Sequence, residues 1–316
     1  SDECNNGLDA LKWLGGGPYR PYAETNEGQA TLFTYIIALF FKLWGPSVHT
    51  MRMVPAAMGT LTVIALYFFV RDLFGPRPAL VASGLLATAR WHVTFSRIIY
   101  ELIMMPLALL LLGLFLLRAL RGGRRRDWAL AGVMLSLGLN TYTAFRLVPF
   151  AIATFLLYWL LTHRQRWVRD IEGLVTMGIS TLLSLLPLGI YIVQKWHTFT
   201  SRINHISIAR DIERAGGSLE PFWSTLRKTL YIWHYQGDWA ALNNLPSEPL
   251  LDAVVGVLFI LGIAYALRYL YRPLPFLAVT VFLIIGSAAV LSTAAEAPTA
   301  RRTIGTLPFI YALSAF

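Results

Sequence analysis

The sequence predicts an all-α, polytopic bundle of transmembrane helices with interfacial (juxtamembrane) helices in its first outer loop. Three observations carry this reading. Of 316 residues, 56% are apolar and only 14% charged, with a positive mean hydropathy, which leaves too little polar surface for a soluble domain of this length. Apolar runs at 54–70, 102–117, 147–161, 174–193, 253–267 and 276–291 approach the roughly 20 residues that cross a hydrocarbon core of about 30 Å. Short arginine clusters separate these runs. Each run must be helical, because a spanning backbone has to satisfy its own hydrogen bonds.

Residues 1–50 come first and read as an outer loop. The acidic pair Asp2-Glu3 precedes an amphipathic-looking stretch at 7–14, and a second apolar stretch follows at 30–44. If the helix beginning near residue 51 runs inward, the 30–44 stretch starts and ends on the same side, so it is expected to lie along the interface. Trp13, Tyr19, Tyr22, Tyr35 and Trp44 suit the headgroup level. An ordinary spanning helix with the count shifted by one is the alternative.

Residues 51–193 form the first transmembrane block. Arginine-rich loops at 71–77, 118–126 and 164–169, with a fourth at 268–272, mark the inner side by the positive-inside bias. Counting from them places 94–102, 140–146, 194–250 and 294–303 with the first loop on the outer face. Residues 194–250 are too long for a simple connector and carry Trp196, His197, Trp223, Trp233, His234, Tyr235 and Trp239, so a binding element or a structural cap is expected there. Residues 251–316 form a second, C-terminally incomplete block. With no initial methionine and a last run at 304–316 too short to span, the chain reads as an internal piece of a longer protein.

The formal charge of +10 does not argue for nucleic acid, since the basic residues follow the loops instead of forming one stripe. A single cysteine, Cys4, excludes an internal disulfide and any multi-cysteine metal site. There is no Walker loop, His-Glu-x-x-His or Gly-x-Ser-x-Gly. His92, His197, His205 and His234 lack diagnostic metal spacing.

Chemistry therefore rests on the outer polar residues. Asp2 and Glu3 suit a general base, or else cap a helix starting near Asn5. Arg97 and Glu101 are expected on one helical face, a turn apart. Arg146 follows the next outer turn, and Arg301 and Arg302 the last. Guanidinium groups on the outer side run against the usual bias. An anionic lipid headgroup would explain all of them, because guanidinium binds phosphate oxygens in a fork and stays charged in a low dielectric. Interfacial snorkelling is the plainer alternative for any one arginine.

Five stretches carry a family resemblance: Asp2-Glu3 with Leu8-Asp-Ala-Leu11; Arg52-Met-Val-Pro-Ala-Ala-Met-Gly-Thr-Leu-Thr-Val leading to Arg71-Asp-Leu-Phe-Gly; Phe95-Ser-Arg-Ile; Thr141-Tyr-Thr-Ala-Phe-Arg-Leu-Val-Pro149; and Gly237-Asp with Asn244-Leu-Pro and Arg301-Arg-Thr-Ile-Gly-Thr-Leu-Pro308. Their order resembles the GT-C superfamily of membrane glycosyltransferases, in the branch of protein O-mannosyltransferases and the lipid A aminoarabinose transferase. The resemblance implies a polyprenyl-phosphate sugar donor and Asp2 as catalytic base, with Glu3 beside it. Arg97, Arg146, Arg301 and Arg302 would lie near the donor phosphate, and Glu27, Glu101, Tyr142 and Asp238 become candidate substrate contacts. One departure stands at 26–31, where relatives often carry Lys or His before paired prolines. No cofactor is demanded, although a divalent metal would be compatible.

The expected activity is inverting sugar transfer to a lipid, glycan or protein acceptor at the outer face of a bacterial plasma membrane. A catalytically silent subunit of a larger membrane complex is the rival. A transporter or flippase is disfavoured, because the centres of the apolar runs hold almost no ionisable residues.

Overall fold

A computed structural model describes residues 2–23, 29–197, 199–200 and 206–315, and of Asp2 the backbone alone. The first loop folds into helix α1 (Asp2–Leu14), a two-stranded antiparallel clip of β1 (Tyr22–Ala23) and β2 (Gln29–Ala30), and helix α2 (Leu32–Trp44). Helix α1 starts at the acidic pair, a turn earlier than the cap near Asn5 that the sequence suggests. Trp13 stacks on Tyr35 at 3.9 Å between ring centroids, and Tyr19 on Tyr35 at 5.3 Å. Buried Gln29 donates to Asn6 Oδ1 at 2.9 Å, tying the clip to α1. Helix α2 buries Phe33, Ile37 and Phe41 yet leaves Leu39, Leu43 and Trp44 exposed. Those outward apolar side chains suit a helix lying at an interface.

The bundle begins with α3 (Val48–Phe74), whose N-cap Ser47 accepts from the Thr50 amide at 3.0 Å. It continues through α4 (Pro76–Thr88), α5 (Arg90–Phe95), α6 (Met104–Gly122), α7 (Arg125–Leu139), α8 (Val148–Thr162) and α9 (Trp167–Gln194). The 3-10 turns Glu101–Ile103 and Thr143–Leu147 lead into α6 and α8. Among the helices long enough to span, α6 is the most enclosed, and it ends at Gly123 in the left-handed region (φ 67°). Close approach between α7 and α9 is allowed by Gly132 and Gly173: a Cβ at the first would meet the Met177 carbonyl, and at the second the Trp128 indole.

Residues 206–252 contain α10 (Ile208–Arg214) and α11 (Glu220–Tyr231). Trp233 seats this loop on the bundle against Trp91 and Phe282, at 5.9 and 5.5 Å. Helices α12 (Ala253–Arg268) and α13 (Pro273–Val290) follow, then the short α14 (Ala300–Thr303) and the fully buried α15 (Leu307–Leu313). Five stretches among the described residues are long and apolar enough to cross a membrane: Val48–Phe74, Glu101–Gly122, Thr143–Thr162, Arg164–Gln194 and Pro273–Val290.

The arginine-rich loops meet at one end of the bundle. Arg118 reaches Asp72 at 2.7 Å, Arg121 donates to the Asp72 carbonyl at 2.6 Å, Arg169 to the Leu120 carbonyl at 2.9 Å, and Tyr158 to the Tyr271 carbonyl. The candidate site residues that are described gather at the other end.

Candidate active site

The chain between α5 and α6 is the hub of that end. Helical hydrogen bonding lapses after Phe95, and Tyr100 adopts an extended backbone (φ −139°, ψ 129°) before the turn at Glu101. The freed Ile99 amide donates to Glu3 Oε1 at 2.9 Å, which fastens α1 to the hub. The next residue, Tyr100, is buried. Its hydroxyl accepts from an Arg301 guanidinium nitrogen at 3.4 Å, and its ring meets Tyr142 edge-on at 6.5 Å. Burial, with Tyr142 and Glu101 nearby, pushes the Tyr100 phenol above its ordinary pKa, so it stays neutral at physiological pH.

Two cavities flank this hub. On one side Glu3 and Ile99 border an open groove of about 450 Å³, otherwise lined mainly by apolar residues of α1, α2 and α3 such as Leu8, Phe41 and Met51. On the other, Glu101, Tyr142 and Arg146 line a narrow cleft with Tyr22, Gln29 and Phe199. The Arg146 guanidinium lies 3.8 Å from the centroid of the Phe199 ring, a cation–π arrangement that orients it without neutralising it.

A third group is assembled by the segment 291–302. Its start pairs with the long loop, the Ile208 amide donating to the Leu291 carbonyl at 3.0 Å and the Thr293 amide to the Ile206 carbonyl at 2.9 Å. Asp211 Oδ2 accepts from the Thr293 hydroxyl and the Ala294 amide, both at 2.7 Å, and these bonds lower the Asp211 pKa. Near its end, Asp238 Oδ2 accepts from the Ala300 amide at 2.9 Å. Between the two clips, Glu296 Oε2 lies 2.8 Å from Arg302 and 3.7 Å from Arg301.

The structure thus brings Glu3, Glu101, Tyr142, Arg146, Arg301 and Arg302 to one end of the bundle, around residues 99–101. Asp2 begins α1 beside Glu3, but its side chain lies outside the described residues, as does all of Glu27. Arg97 is exposed, whereas Glu101 is only 4% exposed, which corrects the expectation of a shared helical face. The helix on which that spacing depends is broken at 96–100. Asp238, expected as a candidate substrate contact, instead has both oxygens bonded to the chain: Ala240 at 2.9 Å, Asn243 at 2.8 Å and Ala300 at 2.9 Å. Buried, with both oxygens accepting from the chain, it braces the loop against residue 300.

Sequence reasoning missed Tyr100, Glu296 and Asp211, whose partners lie 201, 6 and 82 residues away. The adjacency of Glu296 to the Arg301-Arg302 pair was the one local signal. Among the described residues no group of three His, Cys, Asp or Glu is placed to hold a metal ion. Buried His92 faces the Gly59 carbonyl at 3.2 Å and His234 the Gly256 carbonyl at 3.1 Å, while His197 is exposed and His205 lies outside the described residues.

The family model for dolichyl-phosphate-mannose-protein mannosyltransferase matches residues 29–191. No curated protein matches the chain in sequence. Among solved structures the chain is similar to ArnT from Cupriavidus metallidurans in the apo state, at 14% identity and a TM-score of 0.62, covering 98% of this chain and 53% of that one. The same protein bound to undecaprenyl phosphate aligns at 12% identity and 0.62, covering 98% and 54%. The archaeal oligosaccharyltransferase AglB from Archaeoglobus fulgidus, in complex with an inhibitory peptide and a dolichol-phosphate, aligns at 13% identity and 0.59, covering 99% and 46%. The chain therefore spans about half the length of these structures, with which it shares the GT-C fold.

Proposed function

Because this chain belongs to the dolichyl-phosphate-mannose-protein mannosyltransferase family, we propose that it carries the donor end of an enzyme that moves a sugar from a polyprenyl phosphate to an acceptor at the exoplasmic membrane face. The observation that supports this best is the meeting of α1's acidic start with three arginines around one short hub. Glu3 is bonded to Ile99, Tyr100 to Arg301, and Glu101 and Arg146 share a cleft. Two similar structures are complexes with a lipid phosphate, undecaprenyl phosphate for ArnT and dolichol-phosphate for AglB.

In the proposed reaction Asp2 takes the proton of an acceptor hydroxyl as its oxygen attacks the anomeric carbon from the face opposite the phosphate. The bond from that carbon to the phosphate oxygen breaks, inverting the centre, and the bonding pair leaves with the lipid phosphate. A phosphodiester with one negative charge becomes a phosphomonoester with nearly two. Arg301, Arg302 and Arg146 are the groups fitted to stabilise that developing charge, since guanidinium remains protonated in a partly buried setting. Glu3 holds the hub in place beside them. Either cavity could take the apolar chain or the acceptor, which is a lipid, a glycan or a protein hydroxyl.

The test uses the full-length protein in lipid nanodiscs with a polyprenyl-phosphate sugar. Asp2→Asn is expected to lower transfer at least about 100-fold, the usual size of a lost general base, with expression and helix content unchanged. Wild-type turnover in that variant would remove the mechanism. Silence of the wild type toward every polyprenyl-phosphate sugar would favour a structural subunit.

A further inference from the structure

The clipped segment 293–300 sets an exposed carboxylate against two less exposed arginines at a fixed place on the chain. Asp211 holds residues 293 and 294, and Asp238 holds residue 300, so Glu296 between them has little freedom to swing away. The Arg302 side chain is only 12% exposed and that of Arg301 31%. The two guanidinium groups are therefore screened less than exposed charges, whereas Glu296 is itself 36% exposed. The Arg302 Nε is buried and has no acceptor among the described residues, so this guanidinium has a donor to spare even with Glu296 in place.

The charge of the cluster follows directly. Among the described residues of this segment, two guanidinium groups face one carboxylate, which takes one unit from the positive charge they offer a ligand. A phosphodiester donor carries one negative charge at any physiological pH. A phosphomonoester product has a second pKa near 6 and carries about −1.5 to −2 at pH 7. The negative charge of Glu296 beside the arginines disfavours a ligand with two negative charges more than a ligand with one. Without Glu296 the balance would shift toward the product.

Resting on the reading that Arg301 and Arg302 hold the lipid phosphate, we infer that Glu296 is a specificity-determining counter-charge, set there to favour the phosphodiester donor over the phosphomonoester product. It acts on both ligands through the arginines and by direct repulsion, and the repulsion is felt most by the second charge of the product. Release of spent carrier is the step it assists.

The test measures binding of two short-chain probes, farnesyl phosphate and its methyl diester, to full-length protein in nanodiscs at pH 7.5 and pH 5.0. Glu296→Gln keeps the shape and a hydrogen-bond acceptor for Arg302 but removes the charge. At pH 7.5 it is expected to tighten farnesyl phosphate relative to the methyl diester by about fivefold, the upper end for one partly exposed charge pair. At pH 5.0, where the monoester carries mainly one charge, that relative gain should vanish. Glu296→Asp should keep the wild-type ratio at both pH values. An unchanged ratio in Glu296→Gln at pH 7.5, or equal weakening of both probes, would overturn the inference and make Glu296 a mere brace for the arginines. Arg302→Gln separates the two levels: if it weakens both probes while Glu296→Gln leaves their ratio alone, the inference alone falls. If Arg302→Gln changes neither affinity, the arginines do not hold the phosphate and the functional reading falls as well.

Discussion

Glu3 Oε1 and the Ile99 amide are hydrogen-bonded at 2.9 Å across 96 residues of chain. This one bond divides the labour of the acidic pair. Glu3 is occupied with the backbone of the hub, so of the two carboxylates Asp2 is the one proposed for proton transfer. Glu3→Gln keeps a carbonyl oxygen for the Ile99 amide and should retain most activity. Glu3→Ala strands a partly buried donor, a loss of about 1–3 kcal/mol, and should lower both transfer and thermal stability. Transfer assays beside thermal unfolding in detergent check this, and equal behaviour of the two variants would show that the bond does not matter.

Asp238 is 4% exposed and takes three hydrogen bonds from the chain. Asp238→Ala leaves Ala240, Asn243 and Ala300 without their acceptor and is expected to cost about 1.5–3 kcal/mol, the range for hydrogen bonds to a charged group. The readout is the unfolding midpoint, with hydrogen exchange at the Ala300 amide as the local marker. An unchanged midpoint together with lost activity would return Asp238 to the role of substrate contact.

The lowered pKa of Asp211 makes its clip sensitive to acid. Hydrogen bonds from Thr293 and Ala294 are the main causes, and both favour the ionised form. A carboxyl depressed in the folded state adds stability that is fully present above its unfolded pKa of about 4 and is lost as pH falls through the lower folded value. Exchange of the Ala294 amide should therefore accelerate on acidification below about pH 4. In Asp211→Ala it should be fast already at neutral pH and show no such acid step, whereas Asp211→Asn, which keeps an acceptor oxygen, should lose the acid step alone.

Small residues let α7 and α9 approach. Gly132→Ala would drive a methyl group into the Met177 carbonyl and the Ser180 and Thr181 hydroxyls, and overpacking of this kind costs about 1–3 kcal/mol. Gly178 on α9 has nothing within 4 Å of the same added atom, so Gly178→Ala should be neutral or slightly stabilising as a better helix former. Paired melting curves decide the matter, and equal losses would deny that α7–α9 contact sets the difference.

The spans were legible because each is an unbroken apolar run, and the arginine loops because charge at a membrane boundary is an unambiguous signal. The hub was not. No glycine or proline marks the break at 96–100, and counting on through it put Arg97 and Glu101 on one face. Their true placement depends on a carboxylate 96 residues upstream that captures the Ile99 amide. Asp238 is a candidate through the resemblance of the Gly237-Asp stretch, but nothing local distinguishes an aspartate that meets a ligand from one that finds the Ala300 amide 62 residues later. Arg301 and Arg302 stand out by their charge on the outer side and by the resemblance of the 301–308 stretch. Nothing local gives their neighbour Glu296 a role, because a carboxylate beside arginines usually means an ordinary surface pair.

Both clips on the 293–300 segment grip main-chain nitrogen, at Ala294 and at Ala300. Attachment of that kind is indifferent to most side-chain identities, so the segment can drift in evolution without losing its course, and half-exposed Ala294 has room for larger residues. One replacement is barred at both positions on covalent grounds alone: proline carries no amide hydrogen to give. Homologues that keep the two aspartates should therefore vary freely at 294, stay small at buried 300, and show proline at neither.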